Sequence, residues 1–216
     1  MSLSVVLATH NEAANIADCL NSIKDLADEI IIVDGKSSDS TPQIARQLGA
    51  QVYSVTNKPI FHINKKIALD KAKGDWILQL DADERPDSEL KQAIQDRVLS
   101  HKDLVFMGYY LKRKNFFLGR WLKKGGQYPD PVIRLVRRGH AHFPQQSVHE
   151  QIIVAGQVST LDGHLLHYTA PTFSRYLLNS NRYTSLTAAT LKNQQVKFTL
   201  FNWLNYLILK PWLTFC

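Results

Sequence analysis

The stretch Gly74-Asp75-Trp76-Ile77-Leu78-Gln79-Leu80-Asp81-Ala82-Asp83-Glu84 decides how the chain is read. Asp75–Leu80 has the length and apolar character of a buried strand, and it runs straight into Asp81 and Asp83. Side chains alternate along extended backbone, so these two carboxylates share one side and Ala82 takes the other. Before it, residues from about His62 to Lys73 read as a helix closed by Gly74. After it, Pro86-Asp87-Ser88 opens a helix reaching about Leu99.

The same alternation extends back to the start of the chain. Leu3–Ala8 is an apolar strand-length run that ends in Thr9-His10-Asn11-Glu12. Ile16, Cys19, Leu20 and Ile23 then recur at helical spacing. Glu29–Val33 is a second strand, followed by Asp34-Gly35-Lys36-Ser37-Ser38-Asp39. Ser40, Thr41 and Pro42 mark a helix start, with Gln43 placed to complete a capping box from Ser40, and Gly49 ends that helix. Gln51–Val55 is a third strand. Strands alternating with helices predict an α/β fold with a mostly parallel central sheet and flanking helices. Such sheets bind ligands at the carboxyl ends of their strands. Thr9–Glu12, Asp34–Asp39 and Asp81–Asp83 all fall there.

The second half is less regular. Leu104–Tyr110 and Val132–Val136 read as strands, and residues from about Phe173 to Lys192 as a helix. His149-Glu150 lies in an extended stretch, with His164 and His167 beyond. Phe198–Cys216 is apolar apart from Thr, Asn and Lys210, and Asn202, Asn205, Lys210 and Pro211 argue against a clean membrane span of about 20 residues. It reads as an interfacial helix or as a core helix.

Composition narrows the classes. The 216 residues are 44% hydrophobic and 21% charged, enough for one sizeable core. The net charge of +7 is split, −4 over residues 1–100 and +11 over 101–216. The basic half favours anions: phosphates, nucleic acid or acidic lipid headgroups. Cys19 and Cys216 form no CxxC pair, which excludes a zinc knuckle and a disulfide scaffold. Met1-Ser2-Leu3-Ser4 has no basic leader or cleavage motif, so the expected address is cytoplasmic. A Walker A loop, a GxGxxG and a nucleophile elbow are all missing from the sequence.

Asp81 and Asp83 offer hard oxygen ligands suited to Mg²⁺ or Mn²⁺. A cation there can neutralise a diphosphate leaving group. The same acids also read as a helix-capping acidic turn before Asp87. Asp34 can accept hydrogen bonds from a base or a ribose, or can simply shape its turn.

Leu7-Ala8-Thr9-His10-Asn11-Glu12, then Val33-Asp34-Gly35-Lys36-Ser37-Ser38-Asp39-Ser40-Thr41, then Gly74–Glu84 resemble, in order and spacing, the signatures of family 2 glycosyltransferases. The resemblance is strong over roughly residues 3–100. Pro131–Arg138 and Val148-His149-Glu150 resemble the subgroup that glucosylates the inner core of bacterial lipopolysaccharide. The resemblance implies a GT-A fold over residues 1–197, with 1–100 as donor half, 101–197 as acceptor half and 198–216 as a membrane-interfacial, shortened tail. It implies an inverting transfer from a UDP-sugar, helped by Mg²⁺ or Mn²⁺. Thr9, Asn11 and Glu12 would line the nucleotide pocket, and Lys65 would touch the nucleotide. Asp34 would meet the uracil or ribose, and Asp81 the ribose or sugar. Asp83 would bind the metal, with Asp81 beside it and a third ligand from His149, His164 or His167, in the first place His167.

An inverting transfer needs one general base. Glu150 is the first candidate and Asp130 the second; many members carry Glu-Asp where this chain has His149-Glu150. The acceptor implied is lipopolysaccharide or another lipid-linked glycan at the inner-membrane surface. A polyprenyl phosphate or capsular acceptor would share the same donor site. Lys112–Lys124 would hold the anionic acceptor, with Phe116, Phe117, Leu118, Trp121 and Leu122 at the membrane interface. Nucleic acid is not an expected partner, because it leaves the acidic strand ends without a role.

Overall fold

The computed structural model describes residues 1–56, 61–100, 105–143, 151–170, 172–193, 195 and 199–209. The chain divides into two compact units, Met1–Arg113 with Pro131–His167, and Lys114–Asp130 with Tyr168–Cys216. The N-terminal elements are β1 (Leu3–Thr9), α1 (Ile16–Ile23), β2 (Glu29–Asp34), α2 (Thr41–Gln47), β3 (Gln51–Ser54), α3 (Phe61–Lys71) and β4 (Trp76–Leu80). Strands β3-β2-β1-β4 lie side by side in that order, all parallel.

Every residue of β1 and β4 is buried, which is why both read as unbroken runs rather than alternating ones. Alternate side chains serve opposite faces of the sheet. Leu3, Val5, Leu7, Ile32 and Leu78 pack with Ile16, Cys19, Leu20 and Ile23 of α1. Val6, Ile31, Val33 and Ile77 pack with Ala68 and Leu69 of α3. Gly74, just before β4, is required by close approach: a Cβ there would stand 2.7 Å from both N and Oγ of Ser4.

Next come β5 (Glu84–Pro86), α4 (Ser88–Ala93) with a π-helical continuation over Ile94–Leu99, β6 (Gly108–Phe117), β7 (Arg120–Trp121) and β8 (Asp130–Arg137). The chain continues through β9 (Ala141–His142), β10 (Ile153–Val154), β11 (Val158–Ala170), α5 (Phe173–Asn193) and α6 (Leu200–Leu204), which has its own π-helical continuation over Asn205–Leu209. The sheet runs on from β4 as β8-β6-β11-β5, with β8 antiparallel to β4 and β5 antiparallel to β11.

Two local expectations change. The Ser40 side chain makes no capping bond; Asp39 instead accepts from the Thr41 amide at 3.0 Å, and the helix begins under that carboxylate. The strand expected at Leu104–Tyr110 lies at Gly108–Phe117, and Leu104 falls outside the described residues. Alternating burial of Tyr109 and Leu111 carries the strand through the basic residues that broke its apolar run.

Candidate active site

The parallel strands end together, and Thr9 of β1 stands in register with Asp34 of β2. Asp34 is buried, and three donors already serve its carboxylate: Thr9 Oγ1 at 3.1 Å, Ser37 N at 2.8 Å and Ser37 Oγ at 2.6 Å. Asn11, at φ 57°, donates its amide to Ser37 Oγ at 2.8 Å, and its side-chain oxygen accepts from Ser38 N at 2.8 Å. Glu12 N donates to Thr41 Oγ1 at 2.8 Å, and the Glu12 carboxylate accepts from Asn15 Nδ2 at 2.9 Å. Thr9, Asn11, Glu12 and Asp34 are therefore gathered in one cluster, in which the loops after β1 and β2 are laced to each other.

A second cluster surrounds the end of β4. Lys65 of α3 places Nζ 2.5 Å from Asp81 Oδ1. Arg134 of β8 places Nη2 2.7 Å from Asp81 Oδ2 and 2.8 Å from Glu84 Oε1, and its Nη1 bonds Gln79 Oε1. Arg113 of β6 reaches Glu84 Oε1 at 3.4 Å, and Asp81 N donates to Glu84 Oε2 at 3.0 Å. Glu84 is fully buried, so its charge is tolerable only with such partners. Burial alone would raise the Asp81 carboxyl; Lys65 and Arg134 outweigh it and hold that group well below the ordinary carboxylate range. Burial likewise opposes the Arg134 charge, and Glu84 and Asp81 more than offset it.

Asp83 meets a histidine instead. In the β11–β5 register His167 stands opposite Glu84, which brings its Nε2 3.4 Å from Asp83 Oδ2. Burial would lower the His167 imidazolium, but the Asp83 carboxylate raises it above the usual histidine value. A carboxylate and an imidazole are donors that suit Mn²⁺ or Mg²⁺ ligation, whereas both Asp81 oxygens are engaged by cations. The donor set thus fits a divalent cation at Asp83 and His167 better than at Asp81.

His164 belongs elsewhere. Its Nδ1 lies 3.2 Å from Asp87 Oδ2, and its amide donates to Asp87 Oδ1 at 3.0 Å. Candidate ligand atoms of Asp87, Glu89 and His164 all lie within 4.8 Å of one another, but Asp87 Oδ1 also caps α4 by accepting from Leu90 N at 2.9 Å. Asp130 lies in the second unit and accepts from Asn115 Nδ2 at 2.9 Å. His149 and Glu150 lie outside the described residues.

The sequence model of glycosyl transferase family 2 matches residues 4–155. The chain belongs to that family. Within it, lipopolysaccharide core biosynthesis glycosyltransferase LpsC of Rhizobium meliloti is 29% identical over 213 residues, covering 91% of this chain and 73% of LpsC. Among solved structures, S. aureus TarS 1-349 in complex with UDP-GlcNAc matches with TM-score 0.57 at 20% identity, over 77% of this chain and 58% of that one. Glucosyl-3-phosphoglycerate synthase of Mycobacterium tuberculosis, in complex with Mn²⁺, UDP and phosphoglyceric acid, matches with TM-score 0.56 at 18% identity, over 92% of this chain and 80% of that one. The chain has their GT-A fold.

In this family 2 glycosyltransferase, Glu84, Arg113, Gln79 and Arg134 escaped the sequence reading as site residues. One signal was available: Arg134 interrupts Val132, Ile133, Leu135 and Val136, and a cation inside a buried strand needs an anion nearby. Two aromatic residues at the end of β6 have ring partners among the described residues. Phe116 stacks on Tyr168 at 4.9 Å and Phe117 meets Tyr176 edge-on at 5.1 Å, so both pack within the second unit, while Leu118 remains exposed.

Proposed function

We propose that this family 2 glycosyltransferase moves glucose from UDP-glucose, with inversion, onto the inner core of lipopolysaccharide at the cytoplasmic face of the inner membrane. The observation that carries the reading is the arrangement at the end of β4, where Asp81 is clamped by Lys65 and Arg134 while Asp83 faces His167. The LpsC name supports the acceptor, and the UDP and Mn²⁺ complex of the mycobacterial synthase supports the donor and the cation.

In this reading Thr9, Asn11, Glu12 and Asp34 bind the uridine, their backbone and side chains already ordered by mutual hydrogen bonds. Lys65 and Asp81 border the ribose and diphosphate. Asp83 and His167 would hold Mg²⁺ or Mn²⁺, with Asp81 alongside. When bound, the cation supplies positive charge opposite the departing UDP. Lys65 and Arg134 neutralise Asp81, and Arg134 and Arg113 neutralise Glu84, which leaves Asp83 and His167 as the groups that would meet a dication and its diphosphate. Glu150, with Asp130 as second candidate, takes the proton of the acceptor hydroxyl as that oxygen attacks the sugar.

The test is a donor screen with purified protein, Mn²⁺ or Mg²⁺, and lipopolysaccharide from a core-deficient strain. UDP release coupled to glucose incorporation supports the reading. Transfer from a different sugar only, or onto a polyprenyl phosphate only, overturns it.

A further inference from the structure

We propose that the second compact unit docks the chain onto an anionic lipid bilayer, with α6 and its π-helical continuation lying in the interface and the unit's lysines and arginines meeting the headgroups. This deepens the reading of a membrane-borne acceptor and rests on it. The first observation is the surface of α6. Residues 200–209 read LFNWLNYLIL, with no charged side chain, and no residue of α6 is buried. Leu200 is 73% exposed, Phe201 77% and Leu207 60%. Contiguous apolar surface of this kind is uncommon on a soluble monomer unless something covers it.

Among the described residues no helix is long and apolar enough to cross a membrane. An exposed apolar helix within a unit rich in cationic residues has the form of an interfacial anchor.

Charge identifies the occupant. Of the chain's 26 Lys and Arg, nine fall in the second unit, against one acid, Asp130. The same unit holds 14 of the 21 aromatic residues. The first unit, with 17 cations and 18 anions, is nearly neutral. Lys123 and Lys124 are exposed, and Lys114 and Lys123 hold their ammonium groups 4.9 and 4.7 Å from the Trp121 ring centre. Two copies pairing through this unit would bring like charges together, whereas acidic headgroups complement it.

The test is flotation of the full chain with vesicles of phosphatidylcholine alone or of phosphatidylcholine and phosphatidylglycerol in equal parts, with UDP affinity measured by calorimetry on the same preparation. The chain is expected to float with the anionic vesicles, at least about tenfold more tightly than with the neutral ones, and to be weakened by salt. Phe201→Glu with Leu204→Glu, and separately Lys123→Glu with Lys124→Glu, should each lower vesicle affinity about tenfold with UDP affinity unchanged. Equal binding to both vesicles, no binding to either, or a stable dimer that ignores vesicles overturns the docking proposal. Loss of UDP binding in the unmutated chain overturns the donor reading instead.

Discussion

Arg134 Nη2 stands 2.7 Å from Asp81 Oδ2, so an arginine on β8 holds the first carboxylate of the Asp-Ala-Asp stretch. The same nitrogen is 2.8 Å from the fully buried Glu84. Arg134→Leu should leave Glu84 with one cationic partner, Arg113 at 3.4 Å, beside the Asp81 amide, and cost about 3 kcal/mol in urea unfolding. Arg134→Lys should cost less, because the charge stays although the two-pronged geometry is lost.

Asp83 is a quarter exposed and bonded to His167, so it separates chemistry from folding. Asp83→Asn should melt close to the unmutated chain while metal-dependent UDP release falls by about 100-fold or more. Asp81→Asn should lower both, since Lys65 and Arg134 then face each other without their shared carboxylate. Thermal melts and a UDP-release assay read the two effects.

Asp39 links the loop after β2 to the loop after β1. Burial alone would raise its carboxyl, but hydrogen bonds from the Thr41 hydroxyl and amide and from Ala13 N outweigh it and lower it. A group depressed in the folded state stabilises fully above its unfolded value, about 3.9, and that contribution is lost as pH falls through the folded value. Asp39→Asn should therefore reduce stability at pH 7 and flatten the acid limb of a stability–pH curve.

Gly74 N donates to Ser4 Oγ at 2.7 Å, and the same hydroxyl donates to Glu29 Oε1 at 2.5 Å. Gly74→Ala should force Ser4 away and cost about 1–3 kcal/mol, read as a lower urea midpoint.

The base is tested by charge removal. Glu150→Gln should lower kcat by about 100-fold or more with donor KM unchanged. Asp130→Asn, which keeps a partner for Asn115, should lower it far less. Steady-state kinetics with a fixed acceptor separates them.

The parallel block was legible in the sequence because local periodicity reports it. Strands buried on both faces must be continuously apolar, as β1 and β4 are, and α1 shows its buried face at helical spacing. Thr9, Asp34 and Asp81 could be placed at strand ends for the same reason. Their partners could not, because those partners arrive from far along the chain. β8 runs antiparallel beside β4, and the step after Leu78 and Leu135 sets Arg134 next to Gln79, Asp81 and Glu84. β11 pairs with β5 and sets His167 beside Asp83. The sequence by itself determined which acids stand at the strand ends; only tertiary pairing decided that Lys65 and Arg134 clamp one while a histidine meets the other, since a buried charge depends on neighbours that chain order does not reveal.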